Sequence, residues 1–203
     1  ISRRLLLILS VLLLLINGKA FASTYAAAEI YVDYVGSGPK DLRYKVTLIV
    51  YHACSEGSPD LSIGPAATED ICYASDICKP SPVTQAIRFR SCDTLKTSCP
   101  KAGNSCTDPT STIPGYYRAV YYDTVDISAY GACADWEFGW WSGTNYRNSL
   151  IKNLTLLSPT TTDIRCGINN MGSYYNTSSP RYLMPPVFIY CINQHDVVPT
   201  SPY

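Results

Sequence analysis

Charge is scarce in this chain. Lys, Arg, Asp and Glu make up 16% of its 203 residues, and histidine occurs only at His52 and His195. No run of basic residues is available to neutralise a phosphate backbone, so nucleic acid is not among the expected partners. Neither histidine stands in a motif with a nucleophile, and no G-x-S-x-G elbow, H-E-x-x-H pair, phosphate loop or EF-hand loop occurs. Acid pairs such as Asp123 with Asp126, or Glu69 with Asp70, have the side chains of a glycosidase, but only a fold that set them across a cleft would make them one. On a β-domain such pairs are more often solvated turns or a calcium contact. Sustained helical periodicity is also missing beyond Ile16, which excludes a helical bundle. These absences together predict a non-catalytic protein without a cofactor.

What the chain does have is aromatic and β-forming: seventeen tyrosines and fourteen prolines accompany many Ser and Thr, the composition of an extracellular β-protein. Its beginning fits that compartment. Arg3 and Arg4 precede the apolar run Leu5 to Ile16, and Ala20-Phe21-Ala22 follows, giving the charged, apolar and small-residue regions of a cleavable signal peptide helix over residues 1–22. This twelve-residue run, broken only by Ser10, falls short of the ~18 or more residues that span a bilayer, so membrane contact is expected only during export. Removal of Arg3, Arg4 and Lys19 leaves thirteen basic against sixteen acidic residues, a net charge of −3. A second reading retains the apolar N-terminus as the assembly element of a filament subunit. Because the chain starts at Ile1 rather than Met and stops shortly after a strand-like run, a longer parent protein is expected.

Nine cysteines behind an export signal, at Cys54, Cys72, Cys78, Cys92, Cys99, Cys106, Cys133, Cys166 and Cys191, predict a disulfide framework. Zinc sites favour Cys-x2-4-Cys pairs, whereas the tight spacings here are five and six residues. Connectivity is not readable, and the odd count leaves one thiol over, for which Cys191 is the best candidate.

Alternation predicts strands at Glu29 to Val35, Arg43 to Tyr51, Gln85 to Arg90, Tyr116 to Ile127, Leu150 to Leu157, Ile164 to Ile168 and Leu183 to Asn193, with a bulge near Asp123. Cys54 to Pro82 reads as a long loop or loosely paired edge, and Ser91 to Pro114 as a polar segment that needs cross-links. All three tryptophans fall in Cys133 to Trp141, where Trp136, Phe138 and Trp140 share one face of a central core strand. The expected fold is all-β: an antiparallel β-sandwich of immunoglobulin-like or jelly-roll-like kind over residues 23–182, with 183–203 its last strand or the start of a following domain. Trp141 and Tyr146, with Tyr174 and Tyr175, form a candidate platform for a sugar or protein ligand, against the alternative that they cover the core. Asn153-Leu154-Thr155 and Asn176-Thr177-Ser178 match the N-glycosylation pattern.

The segment Cys133-Ala134-Asp135-Trp136-Glu137-Phe138-Gly139-Trp140, followed by Arg147-Asn148, resembles the N-terminal β-module of very large secreted Bacteroidota surface proteins, those with immunoglobulin- or PKD-like repeats and a gliding-motility-associated sorting domain. Tyr51-His52-Ala53-Cys54 is similar to that family's Tyr-Arg-Asp-Cys strand end, Ile168-Asn169-Asn170 to its Leu-Asn-Asn, and Pro185 to Gln194 to its Pro-Val-Phe-x-x-Cys-x-Asn-Gln segment. The chain has Asn145-Tyr146 where the family often has Cys-Cys. The resemblance implies a non-catalytic surface module for adhesion, surface-layer construction or motility, whose partners are other domains of the same protein and a surface glycan or protein ligand. It also implies O-glycosylation at Asp-Thr-aliphatic sites, here Thr94 and Thr124, with Thr124 the more shielded.

Overall fold

In the computed structural model, residues 25–54, 64–95, 103–108, 110–140 and 163–182 are described. Seven strands form one antiparallel sheet: β1 (Tyr25–Tyr34), β2 (Arg43–Ala53), β3 (Thr68–Ser75), β4 (Lys79–Thr94), β5 (Tyr116–Asp126), β6 (Trp136–Trp140) and β7 (Ile164–Ile168), with a short 3-10 turn at Gly172–Tyr174. Their order across the sheet is β1-β2-β5-β4-β3-β6-β7. The sheet curls until its two ends meet, and the stretch after the 3-10 turn closes the gap. There the Ser179 amide donates to the Val32 carbonyl (2.8 Å), the Val32 amide to Ser179 Oγ (2.8 Å) and the Tyr34 amide to Ser178 Oγ (3.1 Å). All-β and antiparallel, the fold agrees with the alternation in the sequence.

The order contains two overlapping Greek keys sharing the β3-β4-β5 meander. At the upper rim, where β2 ends and β5 begins, the β2–β3 connection joins strands that are separated by β5 and β4 in the order; at the lower rim, where β1 turns into β2, the β5–β6 connection passes over β4 and β3. Each connection is pinned by a disulfide. Cys54–Cys106 joins the start of the upper crossover to the β4–β5 connection (Cα–Cα 5.1 Å), and Cys78–Cys133 joins the β3–β4 turn to the lower crossover (Cα–Cα 6.3 Å). Gly115 lies against the upper bridge, where an added Cβ would stand 2.5 Å from Cys106 Sγ.

The interior is filled by one parity of each strand. Tyr44, Val46, Leu48 and Val50 of β2 face Ile71, Tyr73, Ile87, Ala119, Tyr121 and Val125, and Trp136, Phe138 and Trp140 are fully buried among them. Fully burying such side chains contributes roughly 1.5–3 kcal/mol each. The predicted triad is therefore core, although β6 lies next to the end of the strand order and is not its centre.

Asn170 is a buried polar pin. Its Oδ1 accepts the Cys133 amide (2.7 Å), its Nδ2 donates to Tyr44 Oη (3.2 Å), and its own amide donates to the Cys133 carbonyl (3.0 Å). Asn170→Ala leaves the Cys133 N–H without an acceptor in the core, so a loss of about 2–3 kcal/mol is expected. Urea unfolding followed by circular dichroism measures it.

Three sequence readings need correction. The Cys54 to Pro82 segment contains β3, whose Ile71 and Tyr73 are core residues hidden in the sequence by Asp70, Cys72 and the surrounding Gly and Pro. The expected bulge in β5 is absent: β5 keeps unbroken register with β2 from Tyr116 to Asp126, and the bulge lies on the facing β4, between Phe89 and Ser91. Asp123 is tolerated at an inward parity because the β4–β5 ladder stops at the Arg88–Tyr122 pair, leaving its side chain 31% exposed. Finally, β4 runs from Lys79 to Thr94, longer than Gln85 to Arg90 at both ends and reaching into the segment read as polar and stapled. Pro80 and Pro82 are accommodated where β4 has not yet met β5. The strand readings at Leu150 to Leu157 and Leu183 to Asn193 lie outside the described residues.

Candidate interaction surfaces

The predicted aromatic platform is not brought together among the described residues. Tyr174 is 65% exposed, but Tyr175 turns inward, its ring edge-on to Tyr34 and its carbonyl accepting the Tyr44 hydroxyl at 2.6 Å. Adjacent residues in an irregular turn need not share a face, and this pair is split between solvent and core. Trp141 and Tyr146, like Arg147-Asn148, lie outside the described residues.

Of the nine cysteines, Cys54, Cys78, Cys106 and Cys133 are bridged, while Cys72, Cys92 and Cys166 are free thiols. Cys72 is buried beside Thr84 (Sγ–Oγ1 3.5 Å). Burial pushes the Cys92 and Cys166 thiols up, which disfavours the thiolate. Cys99 and Cys191 lie outside the described residues.

Three of the four acids singled out in the sequence are held by structural hydrogen bonds, and the fourth, Asp70, is exposed on β3. Glu69 accepts Trp140 Nε1 (3.0 Å), Asp123 accepts the Thr124 amide (2.9 Å), and Asp126 accepts the Ser128 amide (2.9 Å). His52 is buried at the upper end of β2. Among the described residues no group of three or more His, Cys, Asp or Glu is placed to hold a metal ion. Thr94, Thr124 and Asn176 are all exposed. Thr124 lies at an outward parity of β5 and so is not buried by its strand.

The lower rim carries what sequence reading missed. Ile77 (74% exposed), Met171 (52%) and Tyr130 (37%) project there together with Val35 and Tyr174. Their backbone is well held. The Cys78–Cys133 bridge ties the Ile77 turn to the Tyr130 crossover, and Asp135 accepts the Ser75 hydroxyl (2.6 Å) and the Ile77 amide (3.2 Å). Tyr130 packs on Trp136, with Lys79 Nζ 5.7 Å from its ring centroid. Apolar side chains on a rigid rim are the ingredients of a protein-binding face. The sequence signal was an isoleucine between Asp76 and Cys78, in a turn where nothing local required it.

The Ser75 hydroxyl, and then the Ile77 amide, hold the Asp135 carboxyl below its usual 3.8. A depressed carboxylate stabilises the fold above that value and ceases to do so as pH falls through its folded pKa. Asp135→Asn is therefore expected to lower the melting temperature near neutrality, where the carboxylate is charged, and the difference from the parent to vanish as pH falls through the folded pKa of Asp135. A thermal melt series read by circular dichroism checks this.

No family model, curated protein or solved structure matches the chain.

Proposed function

We propose that the chain is an exported, non-catalytic structural or adhesive module of a cell surface, acting within a larger protein of the Bacteroidota surface type. The observation that carries this reading is the pair of disulfides pinning both crossovers, a device suited to an oxidising compartment. The composition and the N-terminal signal pattern agree with it, and the apolar lower rim offers a face for a neighbouring domain or a protein ligand. In this reading residues 1–22 are removed on export, 23–182 are the sandwich, and 183–203 lead into the next domain. The curled sheet then belongs to the immunoglobulin-like or jelly-roll-like kind, whose connections are Greek keys.

Two measurements on the protein in its own cells test the reading. Mass spectrometry of the exported protein is expected to find a chain starting at Ser23, and protease added to intact cells is expected to degrade it. A retained N-terminus would favour the filament-subunit alternative. Full protection in intact cells, with digestion after lysis, would contradict surface placement.

A further inference from the structure

Between its two edge strands the sheet is closed at one end only. With seven strands alternating in direction, β1 and β7 run the same way, so a strand that closes the sheet in antiparallel fashion must run opposite to both. Residues 178–181 begin that closure. Ser178 meets Tyr34, Ser179 meets Val32, and the Arg181 guanidinium lies by Tyr31 and pairs with Asp33, so the chain climbs from the lower rim antiparallel to β1. Ser179 also reaches β7, where the Cys166 thiol hydrogen-bonds its side chain. Above Ser179 the seam changes. The Val32 and Tyr34 amides point into it, and strand alternation aims those of Ala28 and Ile30 the same way, but among the described residues nothing pairs with them. Inward side chains follow the same division. Val32 (0% exposed) and Ile168 (4%) are sealed, whereas Ala28 and Ile30 of β1 and Ile164 of β7, higher up, are only partly buried. A strand edge with unanswered amides beside a half-covered core is a place for one more strand.

We infer that Val187 to Asn193 of the same chain docks in the upper seam as an eighth strand, antiparallel to β1. The described residues end at Tyr182, at the foot of the open stretch, with the chain already heading along it. Pro185 and Pro186 have no amide to give and stand before the pairing stretch, as a strand bonded on both edges requires. Six residues of β1, Tyr25 to Ile30, line the slot, and the seven from Val187 to Asn193 match its length. Either parity of that segment, Val187, Ile189 and Cys191 or Phe188, Tyr190 and Ile192, brings apolar side chains to Ala28, Ile30 and Ile164. The inference goes beyond the proposed function: it extends the sandwich past residue 182 to 193 and withdraws β1 as a docking edge for strands of other proteins.

The test is nuclear magnetic resonance on the purified, isotope-labelled full chain. Nuclear Overhauser contacts are expected between Ala28 to Ile30 and residues 187–193, in antiparallel order and within one molecule. The Ala28 and Ile30 amides are expected to exchange slowly, and Ile189→Pro to speed them about tenfold or more while the Val46 amide of β2 is unchanged. Should that variant unfold, loss of Val46 protection reports it and the contacts in the parent decide. Fast exchange at Ala28 and Ile30 in the parent, contacts with a different segment, or exchange rates untouched in a folded Ile189→Pro would overturn the inference. So would contacts that arise only between labelled and unlabelled copies, which would assign the slot to a second molecule. None of these outcomes depends on export, so a failure here leaves surface placement standing, and protection of the protein in intact cells would leave the eighth strand standing.

Discussion

Replacing Cys78 and Cys133 together by serine is expected to lower stability by about 4 kcal/mol, the loop-closure value for a bridge that spans roughly 50 residues. The pair is 55 residues apart in sequence, so the unfolded chain regains a large loop when the bridge is removed. For a body of this size that corresponds to a fall in melting temperature of roughly 8–16 °C. The native state should change little in outline, because Asn170 still holds Cys133 through two backbone contacts and Asp135 still holds the Ile77 turn. The upper pair, Cys54 and Cys106, is separated by 52 residues and should cost a similar amount. Differential scanning calorimetry of the two double-serine variants reads both. A shift under about 2 °C for either would show that its bridge does not form.

Trp136→Ala is the second large effect. Trp136 is fully buried, with its ring against Tyr73, Tyr130 and Phe138 and its Nε1 donating to the Gly131 carbonyl at 3.3 Å. Truncation opens an aromatic-sized cavity and leaves that carbonyl without its donor, together costing about 3–5 kcal/mol. Trp136→Phe keeps most of the volume and loses the hydrogen bond, so a loss of about 1–2 kcal/mol is expected. Urea midpoints for the two variants should therefore fall in that order. Equal midpoints would mean that the ring is not packed as described.

The sequence was informative where large apolar side chains recur at every second position. The alternation of Tyr44 to Val50 and of Trp136 to Trp140 marked β2 and the buried face of β6, and β2 is buried on both faces from Val46 to His52. The sequence was uninformative where a strand is short and polar at its ends, as in β3, or carries prolines, as in β4. The Asp123 irregularity was visible, but single-strand periodicity cannot tell a bulge in β5 from the end of the β4 ladder beside it. Disulfide pairing depends on which loops cross which rim, a consequence of the Greek-key order that no local pattern encodes. Tyr174 and Tyr175 part for a related reason: neighbours in sequence, they are divided between solvent and core by packing against Tyr34 and Tyr44, which no local pattern encodes.

Disulfide mapping most directly tests the account of a covalently pinned, exported β-module. Protein recovered from the exported fraction, alkylated without reduction and digested, is predicted to yield Cys54 linked to Cys106 and Cys78 linked to Cys133, with Cys72, Cys92 and Cys166 alkylated. Alkylation of all four bridged positions, or linkage of any of them to a different cysteine, would contradict it.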